Sequence, residues 1–208
     1  MRALTWNLEQ VDGESPKGRR QRQMISQRNA DVVVLTEASV NVIPDGFHAE
    51  ASAHMLFVAT HARFAIIAAA DIKPLPVPEL PTAAAAVVNH GGGAWLVVGI
   101  CMPWRRNAPC LPPDAAPSGA NGPEAWLHVL DRLDLALALL RKSHPQLPLL
   151  LAGDFNQTLT GRIVGSRDGR DRLRSLLARH ALIAFTAASP SASRLPLDRS
   201  HLCDSITR

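Results

Sequence analysis

The segment Asp31-Val32-Val33-Val34-Leu35-Thr36-Glu37 places the strongest constraint on the fold. Its run of valine and leucine does not alternate between apolar and polar, so a strand built from it must be covered on both faces. Leu147 to Ala152 behaves in the same way and runs into Gly153-Asp154-Phe155-Asn156. Strands of this kind belong in a layered domain where helices cover sheets.

The remaining pattern agrees. Ala3 to Leu8 alternates as a short opening strand. Gly18 to Asn29 reads as a basic helix after a Gly/Pro loop. Met55 to Ala59, Phe64 to Ala70, Ala83 to Asn89 and Ala94 to Met102 are short apolar strands, separated by turn residues that include Gly91-Gly92-Gly93. Their short spacers predict antiparallel hairpins. Cys110 to Gly122 reads as a loop. The spacing of Trp126, Leu130, Leu133, Leu137 and Leu140 predicts a helix over 123–143, with Pro123 in its first turn and Asn121 as its cap. A second helix is expected over 170–180 and a strand over 182–186. The order is strand, helix, strand, a strand-rich block, then helix, strand, helix, strand. That predicts one mixed α/β domain over residues 1–208.

Composition removes several classes. Hydrophobic residues make up 47% and charged ones 19% of the 208, which excludes a disordered or highly charged tail. No apolar run reaches the roughly 18 residues of a membrane span. The start Met1-Arg2-Ala3-Leu4-Thr5-Trp6-Asn7 is too short and polar for a signal peptide. The three cysteines, Cys101, Cys110 and Cys203, form no CxxC pair, so neither a disulfide framework nor structural zinc is expected and the chain reads as cytoplasmic. Tyrosine is absent, so no step can use a phenol. The net charge of +4 is a weak pointer to nucleic acid. The excess of arginine over lysine reads mainly as base-composition bias. A monomer without membrane attachment is the expected state.

Polar residues close three of the buried strands: Asn7 in Trp6-Asn7-Leu8-Glu9, Glu37 after Leu35-Thr36, and Asp154 and Asn156 after Gly153. Each has an ordinary reading by itself. Asn7 suits a turn, Glu37 a solvated loop acid and Asp154 a cap. Together they offer carboxylates and amides at strand ends, where rigid backbone can aim side chains into one cleft. Hard oxygen donors of this kind suit Mg²⁺ or Mn²⁺ rather than Zn²⁺, and amides can donate to phosphate oxygens. The eight histidines show no H-x-x-x-H pair, Gly91-Gly92-Gly93 is not followed by G-K-[ST], and G-x-S-x-G does not occur.

T-W-N-L-E at 5–9, V-V-V-L-T-E-A at 32–38 and L-L-A-G-D-F-N at 150–156 resemble the endonuclease/exonuclease/phosphatase superfamily, in family order over residues 1 to about 186. The resemblance implies a four-layer αββα sandwich of two mixed sheets flanked by helices. It implies a divalent-metal-dependent phosphoesterase that attacks phosphodiesters in line with an activated water, with nuclease the leading form. By resemblance Glu37 ligates Mg²⁺ or Mn²⁺ with Asn7 beside it, and Asn7 also contacts phosphate. Asp154 orients or deprotonates the water, and Asn156 holds the phosphate. Cys101 stands where one branch carries tyrosine. Arg105, just beyond, is the local candidate for a phosphate contact, and a surface ion pair is its equal alternative.

The resemblance also implies a late Asp-His pair, which is absent. Either His201 substitutes for it beside Asp198 or Asp204, or Cys203-Asp204-Ser205-Ile206 leads into a strand that is lost. The second fits better, because the last twenty residues lack apolar alternation. It predicts a sandwich missing its last strand or strands, an exposed sheet edge and impaired activity. A catalytically dead binding module for nucleic acid or protein is the alternative function. The basic segments from Lys17 to Arg28 and from Arg162 to Arg179 read either as backbone-binding surfaces or as solvated helix faces.

Overall fold

A computed structural model describes residues 1–57, 61–77, 80–103, 122–161, 164–185 and 205–207. The strand β1 (Ala3–Asn7) leads through the helix α1 (Pro16–Gln27) to β2 (Val32–Ala38), parallel to β1. After a 3-10 turn at Val40–Val42 come β3 (His48–Ala51), β4 (Met55–Phe57) and β5 (Ala62–Ala69). β5 runs antiparallel to β2, β3 and β4, giving a first sheet in the order β1-β2-β5-β3 with β4 also on β5. β6 (Ile72–Leu75), β7 (Ala83–His90) and β8 (Gly93–Cys101) form antiparallel pairs in the second sheet. The helix α2 (Gly122–Ser143) connects β8 to β9 (Leu149–Asp154), which is parallel to β8. The helix α3 (Arg167–Arg179), β10 (Ile183–Ala184) and β11 (Ser205–Thr207) complete the order β10-β11-β9-β8-β7-β6.

The two doubly buried runs explain the layering. Val32 and Val34 of β2 meet Val97 of β8 and Leu150 and Ala152 of β9 in a core between the sheets. Val33 and Leu35 face the opposite way, towards Ile25 of α1. Leu149 and Leu151 likewise turn outwards and pack with Leu133 and Leu137 of α2 and Leu173 and Leu176 of α3. Period-two alternation thus supplies two cores from one apolar run, and the αββα sandwich expected from the sequence is the fold observed. A Cβ at Gly99 would sit 3.1 Å from Val34 Cγ1 and 3.3 Å from Ile67 Cγ1, so the facing sheets are in close contact there. No helix among the described residues is long and apolar enough to cross a membrane.

Several boundaries differ from the sequence reading. α1 begins earlier, at Pro16, because Ser15 accepts a hydrogen bond from the Gly18 amide and proline suits the first turn. Ser166 caps α3 in the same way, so that the helix starts at Arg167, three residues ahead of the expected start. β3 and β6 are additional strands without an apolar run. Pro74 is tolerated in β6 because that strand lies at the sheet edge. The Gly91-Gly92 hairpin forms as expected, with φ of 59° and 78°. The stretch after Phe64 to Ala70 departs from the hairpin expectation, because it carries the chain from the first sheet into the second. The loop from Cys110 and the Asn121 cap lie outside the described residues.

The segment expected to lead into a lost strand is itself a short strand, β11. Ser205–Thr207 pairs antiparallel with β9 on one side and β10 on the other. Backbone hydrogen bonding sustains so short a strand between two neighbours without apolar alternation. Among the described strands β1 and β3 end the first sheet, and β10 and β6 end the second.

Asp134 of α2 joins the two outer helices. It accepts from His180 Nε2 at 2.7 Å and pairs with Arg179 at 2.8 Å, while Arg141 donates to the His180 carbonyl at 2.9 Å. Partial burial pushes the Asp134 pKa up, but the hydrogen bonds and charges of Arg179 and His180 outweigh it and hold the carboxyl below its ordinary value. The resulting stabilisation is present above the ordinary carboxylate range and is lost as pH falls through the depressed value. Asp134→Asn should therefore lower the urea midpoint at neutral pH, with the gap to wild type closing below about pH 4. An equal gap at neutral pH and at about pH 3 would contradict this linkage.

Gly153 carries a second prediction. A methyl group there would sit 1.9 Å from the Ile100 carbonyl oxygen, on backbone with φ of 140°. Gly153→Ala should cost about 3 kcal/mol in urea unfolding, and an unchanged midpoint would refute the close approach.

Candidate active site

The carboxyl ends of the two parallel strand pairs meet. Asn7 closes β1 beside Thr36 of β2, and Cys101 closes β8 beside Asp154 of β9. The Asn7 amide nitrogen donates to Glu37 Oε1 at 2.9 Å and to Asp154 Oδ2 at 2.8 Å. One side chain therefore joins carboxylates from facing sheets, the second of them 147 residues away in sequence.

The orientation of this amide follows from its neighbours. Two carboxylates require a donor, so the nitrogen faces them, while Asn7 Oδ1 accepts from the Glu9 amide at 2.9 Å. Asn7 is only 7% exposed, so these bonds are shielded from water. Gln10 Nε2 donates to Glu37 Oε2 at 3.0 Å, leaving both Glu37 oxygens held. The Asn156 amide donates to Asp154 Oδ1 at 3.0 Å, which fixes the second carboxylate too. Asn156 Nδ2 donates to the Met102 carbonyl at 2.9 Å and ties the loop after β9 to the end of β8. Behind it, buried Trp126 of α2 donates from Nε1 to the Phe155 carbonyl at 2.9 Å.

Backbone strain is concentrated around these groups. Glu9, Gln10, Glu37 and Asn156 have φ of 54°, 61°, 49° and 48°. Asparagine tolerates the left-handed region, whereas glutamate and glutamine adopt it at a cost that surrounding contacts must offset. The bonds from Gln10 N to the Glu37 carbonyl and from Leu8 N to the Thr36 carbonyl, at 2.8 and 2.9 Å, hold this turn over the end of β2.

The donor set fits a divalent cation. Glu37 and Asp154 have no ion-pair partner among the described residues; their partners are neutral amides. Two adjacent carboxylates compensated only in this way favour a bound positive charge. Cys101 brings its sulfur to the same place: one ligand atom each from Glu37, Cys101 and Asp154 lie within 4.8 Å of one another.

Of the residues singled out in the sequence, Asn7, Glu37, Asp154 and Asn156 come together. Both Asn7 N–H groups go to carboxylates and its oxygen goes to Glu9. That arrangement positions the two carboxylates; a phosphate contact through the N–H groups would require one of these bonds to be given up, while the oxygen keeps a second lone pair. Glu9 joins only through its backbone, because its carboxylate pairs with Lys17 at 2.9 Å. Arg105, and His201 with Asp198 and Asp204, lie outside the described residues. Gln10 and Trp126 join the site without any local signal in the sequence: a polar loop residue and a helix-stripe tryptophan carry no mark of these contacts. In the basic segments, Arg22 pairs with Asp45, Arg172 with Asp131 and Asp168, Arg174 with Asp171 and Arg179 with Asp134. Part of that charge is answered by these surface ion pairs.

A family model described as the endonuclease/exonuclease/phosphatase family matches residues 4–199. No curated protein gives a significant sequence match. Solved structures share the fold at low identity. The endonuclease domain of TRAS1, a telomere-specific non-LTR retrotransposon, matches with 16% identity over 99% of this chain and 83% of that chain, at a TM-score of 0.62. An endonuclease/exonuclease/phosphatase family protein from Leptotrichia buccalis matches with 10% identity over 100% and 87%, at 0.59. The human Nocturnin catalytic domain with bound sulfate matches with 14% identity over 100% and 82%, at 0.55.

The bridging role of Asn7 is open to a direct test. Asn7→Asp places a third carboxylate between Glu37 and Asp154, whereas Asn7→Ala only removes the donor. At neutral pH the Asp variant should be less stable than the Ala variant by about 2 kcal/mol, and millimolar divalent cation should narrow that difference. Equal urea midpoints for the two variants would show that Asn7 does not sit between the charges.

Proposed function

Because this chain belongs to the endonuclease/exonuclease/phosphatase family, we propose that it is a phosphoesterase that hydrolyses phosphodiester bonds, in nuclease fashion, with Mg²⁺ or Mn²⁺ held at Glu37. The observation that carries this reading is the Asn7 amide joining the Glu37 and Asp154 carboxylates across the two sheets. When bound, the cation supplies positive charge to the non-bridging and leaving oxygens of the ester.

The chain's own residues do the rest. Asp154 is held through both oxygens, by Asn7 and by the Asn156 amide, so its orientation is set before substrate arrives. A carboxylate fixed in this way aligns a water for in-line attack and accepts its proton. With one N–H of Asn156 Nδ2 on the Met102 carbonyl, the other can donate to a phosphate oxygen. Arg105 is assigned a phosphate contact on its place in sequence just beyond β8. Gln10 keeps Glu37 turned towards the site. A nucleic-acid backbone suits the net charge of +4 better than a neutral lipid surface does.

The second reading is that the site binds nucleic acid and turns it over slowly or not at all. One assay separates the two. With Mg²⁺ or Mn²⁺ on plasmid DNA and on a generic phosphodiester, Glu37→Gln should lower kcat/KM by about 100-fold or more. Asp154→Asn should lower kcat with KM little changed. Wild-type rates retained in Glu37→Gln would remove Glu37 as the cation ligand. Binding without cleavage in the wild-type chain, weakening steeply with salt, would select the second reading.

A further inference from the structure

Cys101 is the chemically active group at this site that phosphodiester hydrolysis leaves unused. It is the last residue of β8, is 5% exposed and forms no disulfide. Its register partner is Asp154, so the β8–β9 ladder sets its position relative to one carboxylate. Asn7 ties that carboxylate to the other. The three potential ligand atoms lie within 4.8 Å of one another. Donors bound tetrahedrally to one ion at about 2.0–2.3 Å are roughly 3.5 Å apart, so binding would draw the set together by about 1 Å, the Cys101 thiol giving up its long contact to the Met102 carbonyl.

An all-oxygen site suits Mg²⁺, which coordinates sulfur poorly, whereas a set of two oxygens and one sulfur suits softer divalent cations. We infer that Cys101 is a sulfur ligand of this site, so that Zn²⁺, Cd²⁺ or Co²⁺ binds to Glu37, Asp154 and Cys101 together and displaces Mg²⁺. The inference rests on the proposed cation site and adds which cations it prefers. It makes soft cations tight competitors of the hydrolysis that Mg²⁺ supports. Replacing the thiol should leave Mg²⁺ binding in place and abolish that competition.

The test uses the full chain with Cys110→Ser and Cys203→Ser, so that Cys101 is the remaining thiol. Titration with Cd²⁺ or Co²⁺ should raise a sulfur-to-metal charge-transfer absorption that saturates at one equivalent. Adding Cys101→Ser should abolish the band. Glu37→Gln, with the thiol intact, should weaken Cd²⁺ binding by about tenfold or more. Mn²⁺ binding, followed in parallel by electron paramagnetic resonance, should survive Cys101→Ser and be lost in Glu37→Gln. If Mn²⁺ binds in this Glu37-dependent way but Cd²⁺ gives no band in the chain that retains Cys101, the sulfur ligand is overturned and the oxygen site stands. A band that Glu37→Gln leaves unaffected also overturns the sulfur ligand, because the thiol would then bind metal elsewhere. If neither Mn²⁺ nor Cd²⁺ binds the wild-type chain, the cation site falls, and the sulfur ligand with it.

Discussion

One amide spans the two sheets of this protein. Asn7, itself buried, donates to a half-buried carboxylate of each, at 2.9 and 2.8 Å. Unpartnered, two carboxylates this close would repel each other, and burial would amplify the effect. A neutral double donor holds them together without cancelling their charge. The negative charge is therefore retained while the surrounding hydrogen bonds set the geometry of both carboxylates.

The location of that amide follows from topology. Each sheet contains one parallel strand pair joined through a helix, β1 with β2 and β8 with β9. Parallel pairing brings carboxyl ends to the same side, and stacking the sheets face to face sets the two sides next to each other. Gly99 lets the sheets approach closely two residues before the end of β8, and Gly153 lets β9 pass Ile100 just before Asp154. Left-handed backbone at Glu9, Gln10, Glu37 and Asn156 then turns the chain ends over the site. Trp126 of the outer helix layer anchors the loop that carries Asn156, so even the layer remote from the facing sheets takes part in shaping the centre.

This arrangement accounts for how widely the family fold can be shared at 10–16% identity. The requirements are apolar alternation in the strands and a few polar residues at their ends, and many sequences satisfy the first. The chemistry at a strand end can then vary without disturbing the core. Cys101 illustrates this: its backbone belongs to β8, while its sulfur lies among the ligand atoms. The Asp134, Arg179 and His180 group sits on the outer helices, so it contributes to the packing of α2 on α3 and leaves the centre untouched.

What the residues determined by themselves is the layering and the chemistry at its ends. The runs Val32 to Leu35 and Leu149 to Leu151 could be buried only between layers, because nothing in them is polar enough to face water. The polar residues that stop those runs were legible as a group for the same reason: an amide or carboxylate that breaks an apolar strand must lie where the strand emerges. The starts of α1 and α3 were marked by local serine caps rather than by the apolar pattern, whereas nothing local marked β3 and β6, whose pairing comes from neighbouring strands. Nor could local sequence show which way the Asn7 amide points, that Gln10 and Trp126 brace the site, or that Ser205–Thr207 finds a place between β9 and β10. These depend on partners remote along the chain. Burial is written into a segment by its own hydrophobicity, but a hydrogen bond across two sheets exists only once both sheets have been assembled.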